Sequence, residues 1–232
     1  MNPLIQLKTT PPLLITLTLL CFALSPPLKA VDCPSTCGSG GNAAVGFNAL
    51  DSVTTGINNT AVGTGALTDD TTGAYNVAVG NGALRSNITG DFNLAIGTEA
   101  LRDNTANYNS AIGFRALFMN TTGRHLTGIG AGALRNNTTA SFNTAIGADA
   151  LRENTTGGTL ATTMGFDVGP NTAVGSQALG SNTIASANTA LGYQALGSMV
   201  AGFDFNTGTP TDVGVSTAVG FRPLPTSIAS RT

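Results

Sequence analysis

One short theme governs this chain: Asn-x-Ala-[Val/Ile]-Gly, repeated along most of its length. Its glycine stands at Gly46, Gly63, Gly80, Gly97, Gly113, Gly130, Gly147, Gly175, Gly192 and Gly220. Most steps are 17 residues, the step from Gly97 to Gly113 is 16, and those from Gly147 to Gly175 and from Gly192 to Gly220 are 28. A fixed period of this length is the signature of a solenoid, in which each unit buries its apolar side against its neighbours.

The unit is strict at some positions and loose at others. Four residues after each glycine comes a leucine: Leu50, Leu67, Leu84, Leu101, Leu117, Leu134, Leu151, Leu179, Leu196 and Leu224. A valine, isoleucine or leucine precedes each glycine, and alanine precedes that residue everywhere except at Gly128. The leading asparagine lapses only at Leu126 and Ser216, and a turn such as Asn120–Gly123 joins one unit to the next.

Helix does not fit this pattern. Glycines, threonines and asparagines are all poor in helix interiors, and only the Ala-Leu-Arg stretch after each glycine suits one. Two short strands per unit with Gly/Asn turns fit better. Seventeen residues then make one coil of an all-β parallel solenoid, about ten coils rising ~4.8 Å each. Stacked asparagine amides are expected to bond from coil to coil. Alanine and the following aliphatic residue point to opposite faces of their strand, so both faces are apolar. One face fills the inside; the other, expected to be the alanine side, suits the approach of a second chain, so lateral oligomerisation is predicted.

The first thirty residues stand apart. Lys8 precedes the apolar run 13–24, Pro26 and Pro27 break it, and Leu28-Lys29-Ala30 offers a cleavage point, so residues 1–30 are expected to be a secretory signal peptide whose apolar run is too short to span a bilayer. Without them the chain holds eight arginines and twelve acidic residues, a net charge of −4. That excludes a basic nucleic-acid-binding patch, and no later apolar run approaches membrane-spanning length. Residues 31–41 carry Cys33 and Cys37. In an exported chain this spacing reads first as a local disulfide, with two free thiols or a metal site as alternatives. The repeat domain spans 42–224, with insertions near 158–168 and 198–213, and 225–232 form a tail.

Segments such as Asn76-Val77-Ala78-Val79-Gly80 and Asn93-Leu94-Ala95-Ile96-Gly97 resemble the N-S-V-A-I-G head repeats of YadA-like trimeric autotransporter adhesins. The resemblance covers 42–224 and implies a left-handed β-roll, a homotrimer, exposure on a bacterial surface and adhesion to host matrix or cells. The longer Ala-Leu-x-x-Asn-Thr-Thr-Gly form also resembles repeats in bacterial and phage fibre-like proteins. The 17-residue unit is longer than that family's, no heptad run supplies a coiled-coil stalk, and the residues after Leu224 do not suffice for a membrane barrel.

No catalytic constellation is present, and no cofactor is expected. His125 is the only histidine and reads as a surface residue. The acids Asp69, Asp70, Asp91 and Glu99 read as turn or edge positions without paired spacing. Gly128, Gly130 and Gly132 mimic a fragment of a dinucleotide loop, but the repeat accounts for Gly130 and no helix follows. Arg85, Arg102, Arg135 and Arg152 recur just after the leucine, forming a solvated edge that discourages aggregation, with Asp103 and Glu153 relieving their repulsion. Binding is better sought in the insertions, each holding a Gly-Phe-Asp triplet with Phe166 and Asp167 or Phe203 and Asp204. The sequence thus points to a secreted or surface-exposed rod, adhesin-like in function. A purely structural fibre is the alternative, and ice binding a third. For the last, Thr60, Thr127, Thr144, Thr172, Thr189 and Thr217 share one position, interrupted by Ala43, Val77, Leu94 and Ser110.

Overall fold

The computed structural model describes residues 40–155, 170–198, 202–203, 210–211 and 216–221. Each coil contributes one strand of three residues just before its glycine: β1 (Ala43–Val45), β2 (Thr60–Val62), β3 (Val77–Val79), β4 (Leu94–Ile96), β5 (Ser110–Ile112), β6 (Thr127–Ile129), β7 (Thr144–Ile146), β8 (Thr172–Val174) and β9 (Thr189–Leu191). Then come β10 (Gly202–Phe203), β11 (Pro210–Thr211) and β12 (Thr217–Val219). Strands β1 to β9 and β12 form one ten-stranded parallel sheet in sequence order. The chain is a parallel β-solenoid, as its period implies.

Register is kept even where the period is not. Leu94 pairs with Ser110 across the 16-residue step, and Thr144 with Thr172 and Thr189 with Thr217 across the 28-residue steps. The coils on either side of each longer step therefore stack in the same register as the others. Part of the second insertion forms a small antiparallel ladder, β10 with β11, pairing Phe203 with Pro210.

The expectation of two strands per coil is not met; there is one. The rest of each coil turns too sharply for a second, because left-handed backbone recurs in it. The glycines of the repeat have φ of 129° to 141°. In the third coil, Gly82 follows at 63°, Leu84 at 50° and Phe92 at 56°, and the same positions recur in the other coils. Every side chain is strained at such φ, and one branched at Cβ more than one, such as leucine, that branches further out. This explains why the position four after the glycine holds leucine and never isoleucine or valine, which β-propensity alone would favour.

The glycine column is fixed by contact as well as by φ. A Cβ on Gly113 would lie 2.6 Å from the carbonyl carbon and oxygen of Gly130, and one on Gly80 2.5 Å from the carbonyl oxygen of Gly97. The last described coil, at Gly220, has nothing within 4 Å.

The core is thin and built from small residues. The middle residue of strands β2 to β9, such as Ala61, Ala78, Ala95 and Ala111, is buried inside the coil, with Ala83 and Leu84 and their equivalents beside it. The predicted outward alanine face is thus corrected: alanine faces in, and the valine or isoleucine after it faces out. Only alanine fits the narrow space between strand and turn. In the Ala-Leu pair after each glycine both side chains face inward, since the left-handed leucine turns to the same side as the alanine.

Two columns of buried asparagine close the coil. In the first, each Oδ1 accepts the main-chain N–H of the next coil: Asn59 from Asn76 at 2.9 Å, Asn76 from Asn93 at 2.9 Å, Asn171 from Asn188 at 3.0 Å. Its Nδ2 donates across the coil to a turn carbonyl, Asn59 to Gly73 at 2.7 Å and Asn109 to Gly123 at 2.9 Å. The expected asparagine ladder is therefore present, though it bonds mainly to backbone. The second column runs through the Asn-Thr-Thr-Gly turn and does bond amide to amide: Asn120 to Asn104 at 2.7 Å, Asn137 to Asn120 at 2.7 Å, Asn182 to Asn154 at 2.8 Å. A buried polar group without a partner costs about 1–3 kcal/mol, so the columns are obligatory once the coil is closed.

Replacing Gly113 with alanine is expected to lower stability by at least about 3 kcal/mol, clash adding to strain. Gly220→Ala carries the strain alone and should shift a thermal melt far less. At Leu117 (φ 53°), Leu117→Ile is expected to cost more than Leu117→Met by about 1–2 kcal/mol in urea denaturation, despite similar volume.

Candidate functional site

The described coils offer four surfaces to a partner. The first is the outer face of the sheet. Strand residues one and three point outward, and none of them is charged or aromatic in β1 to β9 or β12. The third residue forms an aliphatic column in which Val62, Val79, Ile96, Ile112, Ile129 and Ile146 are each 36–39% exposed. The first residue forms a mixed column. Sheet order places Thr127, Thr144, Thr172, Thr189 and Thr217 on five adjacent strands, an unbroken block. Their hydroxyls bond to nothing among the described residues. A second threonine row, in the turns, is different: Thr71 bonds Ile88 O, Thr105 bonds Thr121 O, Thr121 bonds Thr138 O and Thr138 bonds Thr155 O, at 2.9–3.2 Å.

The second surface is an aromatic ladder. Tyr75, Phe92, Tyr108, His125 and Phe142 occupy the residue before the leading position of successive coils. Their rings stack at centroid distances of 4.9–5.2 Å with interplanar angles of 1° to 6°. All five have φ between 55° and 63°. Because each ring covers the next, the ladder presents edges rather than faces. His125, read from the sequence as an isolated surface histidine, is a rung between Tyr108 and Phe142. The row was visible in the sequence as an aromatic at one repeat position, but the changes from Tyr to Phe to His obscured it.

The third surface is the arginine edge. Arg102 pairs with Asp103 at 2.8 Å and Arg152 with Glu153 at 2.7 Å, as their adjacency suggested. Glu153 is held below the usual carboxylate range first by the Asn136 amide, which donates at 2.7 Å, and also by Arg152. Arg102 lies 3.8 Å over the ring of Phe118, which takes the arginine position in the next coil. Arg115 reaches Glu99 at 2.6 Å. These half-exposed pairs remain in contact with solvent and contribute little stability, about 0–1 kcal/mol being typical.

The fourth surface is a cleft beside the short coil. It has a volume of about 310 Å³ and is lined by Thr105, Ala106, Asn107, Tyr108, Thr122, Arg124 and His125. Nearby, the second asparagine column breaks. Asn104 Nδ2 keeps the bond to its own turn, Ala106 O at 2.8 Å, as Asn120 does to Gly123, but reaches no oxygen of the preceding coil, and Asn87 Oδ1 is left buried without a partner.

One acid departs from its expected place. Asp70 is not at an edge but fully buried, in the second asparagine column. Its Oδ1 accepts from Asn87 at 3.0 Å and its Oδ2 from Asn59 at 3.3 Å. Burial raises its pKa from 3.8 to about 7, against the hydrogen bonds from Asn87 and Gly73.

Of the residues singled out from sequence, the repeat glycines form one column of positive-φ backbone and the leucines through Leu196 line the core, so both are structural. Cys33, Cys37, Phe166, Asp167, Asp204 and Leu224 lie outside the described residues, and Phe203 falls in β10. No cluster of metal-ligating side chains occurs among the described residues, and no helix there is long and apolar enough to cross a membrane. Comparison with family models, with curated proteins and with solved structures finds no match.

The folded-state pKa of Asp70 exceeds its unfolded value, so its contribution to stability is complete below about pH 4 and is lost as pH rises to about 7. Asp70→Asn, which supplies Oδ1 to Asn87 and Nδ2 to Gly73 O as Asn120 does to Gly123, is expected to remove that slope. Urea denaturation at pH 8 should show the variant more stable by a few kcal/mol, at most about 4, with the difference vanishing at pH 3.5.

Proposed function

We propose that this protein is an exported, non-enzymatic rod whose copies associate side by side through the outer face of the sheet, giving a surface or extracellular assembly with a structural and adhesive role. The observation that carries this is the uncharged, aliphatic sheet face. Roughly 48 Å by 10 Å from strand spacing and length, with its aliphatic column running unbroken along it, the face matches the largest patches found on monomers, which are often functional. A strand apolar on both sides is usually covered on both sides. No charged side chain stands on this face in β1 to β9 or β12. The leader-like residues 1–30 support export, and the likeness of the repeats to adhesin heads supports a trimer and attachment to matrix or cells.

Light scattering on the chain lacking residues 1–30 is expected to give an oligomer at micromolar concentration. Ile112→Lys combined with Ile129→Lys, both at exposed positions, should give a monomer with an unchanged circular dichroism spectrum. A wild-type monomer would refute lateral assembly, and a lack of binding to collagen, fibronectin or cells would leave a scaffold rather than an adhesin.

One observation favours a second use of the same face. The unbroken block from Thr127 to Thr217 offers unbonded hydroxyls at regular spacing beside aliphatic groups, an array suited to ordering water at an ice surface. Freezing-point hysteresis in the wild type, lost in Thr144→Lys with Thr172→Lys, is the outcome this reading requires.

A further inference from the structure

Coil four is the only 16-residue step in the repeat, and its missing residue can be located. Thr105 N–H bonds Thr121 O, and Asn93 Nδ2 bonds Ala106 O just as Asn109 Nδ2 bonds Gly123 O. The position filled by Thr122 in the next coil, between Thr121 and Gly123, therefore has no occupant between Thr105 and Ala106. The cleft of about 310 Å³ opens beside that gap.

Its lining is rich in hydrogen-bonding groups that the chain leaves unused. The Arg124 guanidinium makes no ion pair or hydrogen bond among the described residues, and neither does the Thr122 hydroxyl. Asn107 uses its Oδ1 to accept from Asp91 N–H at 2.9 Å, and its Nδ2 donates to nothing among the described residues. Tyr108 and His125 add a phenol and an imidazole from the ladder, their rings stacked at 4.9 Å. The nearest acid on this row, Asp91, is one coil beyond Asn107 and accepts from Ala74 N–H at 2.8 Å.

We infer that this notch binds an anionic saccharide, with Arg124 holding the acidic group and Thr122, Asn107 and Tyr108 meeting ring hydroxyls. A guanidinium offers a planar fork matched to a carboxylate or sulfate. The hydroxyl and amide groups around it suit a polyol. The shallow, open form admits one or two units of an extended chain, rather than enclosing a small apolar molecule as deep pockets do. The site is separate from the sheet face, so a monomer carries it as well as an oligomer, and its failure would leave lateral assembly untouched.

The test is calorimetric titration of the chain lacking residues 1–30 with three probes: trigalacturonate, a sulfated disaccharide of the heparin type, and neutral galactotriose. Binding of either anionic probe at least about tenfold tighter than the neutral one is expected; which of the two binds distinguishes carboxylate from sulfate. Arg124→Ala should weaken that binding about tenfold or more, and Arg124→Lys less. Inserting a threonine between Thr105 and Ala106, which restores the 17-residue coil and fills the gap, should abolish it while keeping the fold by circular dichroism. Equal binding of neutral and anionic probes, retention of affinity in Arg124→Ala or in the insertion variant, or no heat from any probe at millimolar concentration would each overturn the proposal.

Discussion

The solenoid rests on backbone lying against backbone at the glycine column. The Gly80 α-carbon lies so close to the carbonyl of Gly97 that no side chain fits between them. The same contact recurs at every described step between repeat glycines, including those interrupted by insertions. With coils held this close, each residue meets its counterpart in the next coil, and only residues that gain from stacking on their own kind are comfortable. Asparagine bonds to asparagine or to its backbone, aromatic rings stack on rings, and threonine hydroxyls reach the next carbonyl. Charge is the poor candidate, which is consistent with the 9% of charged residues and with arginines kept to an outer edge beside acids.

Left-handed residues provide the rest of the shape. They turn the chain three times between one strand and the next without a helix or a second strand, and they turn alanine and leucine inward together. Local strain of this kind persists only where the surroundings over-determine it. Here the stack does so, since the turns are bonded to the coils on either side. Coils contact only their neighbours, which makes stability a sum of local and nearest-neighbour contributions. A buried acid at Asp70 or a short coil at Thr105 is then a local disturbance rather than a global one.

Much of this was legible in the sequence. The period, the parallel stack, the structural glycines, the leucine core and the asparagine ladder all follow from spacing and residue type. The inside and outside of the strand did not, because alternation states that Ala78 and Val79 face apart but not which is within. That depends on the width of the coil, set by the left-handed positions, and spacing does not report φ. The burial of Asp70 escaped because an aspartate beside Thr71 and Thr72 reads as a turn residue, although its alignment with Asn87 was available. The notch at Arg124 escaped for a different reason: a period of 16 was seen as a count, not as a missing side chain.

The asparagine columns have a directional consequence. In both, a side-chain carbonyl oxygen of one coil accepts from the coil that follows, so these amide dipoles point the same way along the stack, and oriented amides of this kind act as fixed partial charges. The rod is electrically vectorial, its first coil presenting the donor end of the columns and its later coils the acceptor end. Side-by-side neighbours running in opposite senses would cancel this field, whereas neighbours running in the same sense would add to it. The preferred sense of a bundle is therefore a balance between apolar contact, indifferent to direction, and a long-range polarity that is not.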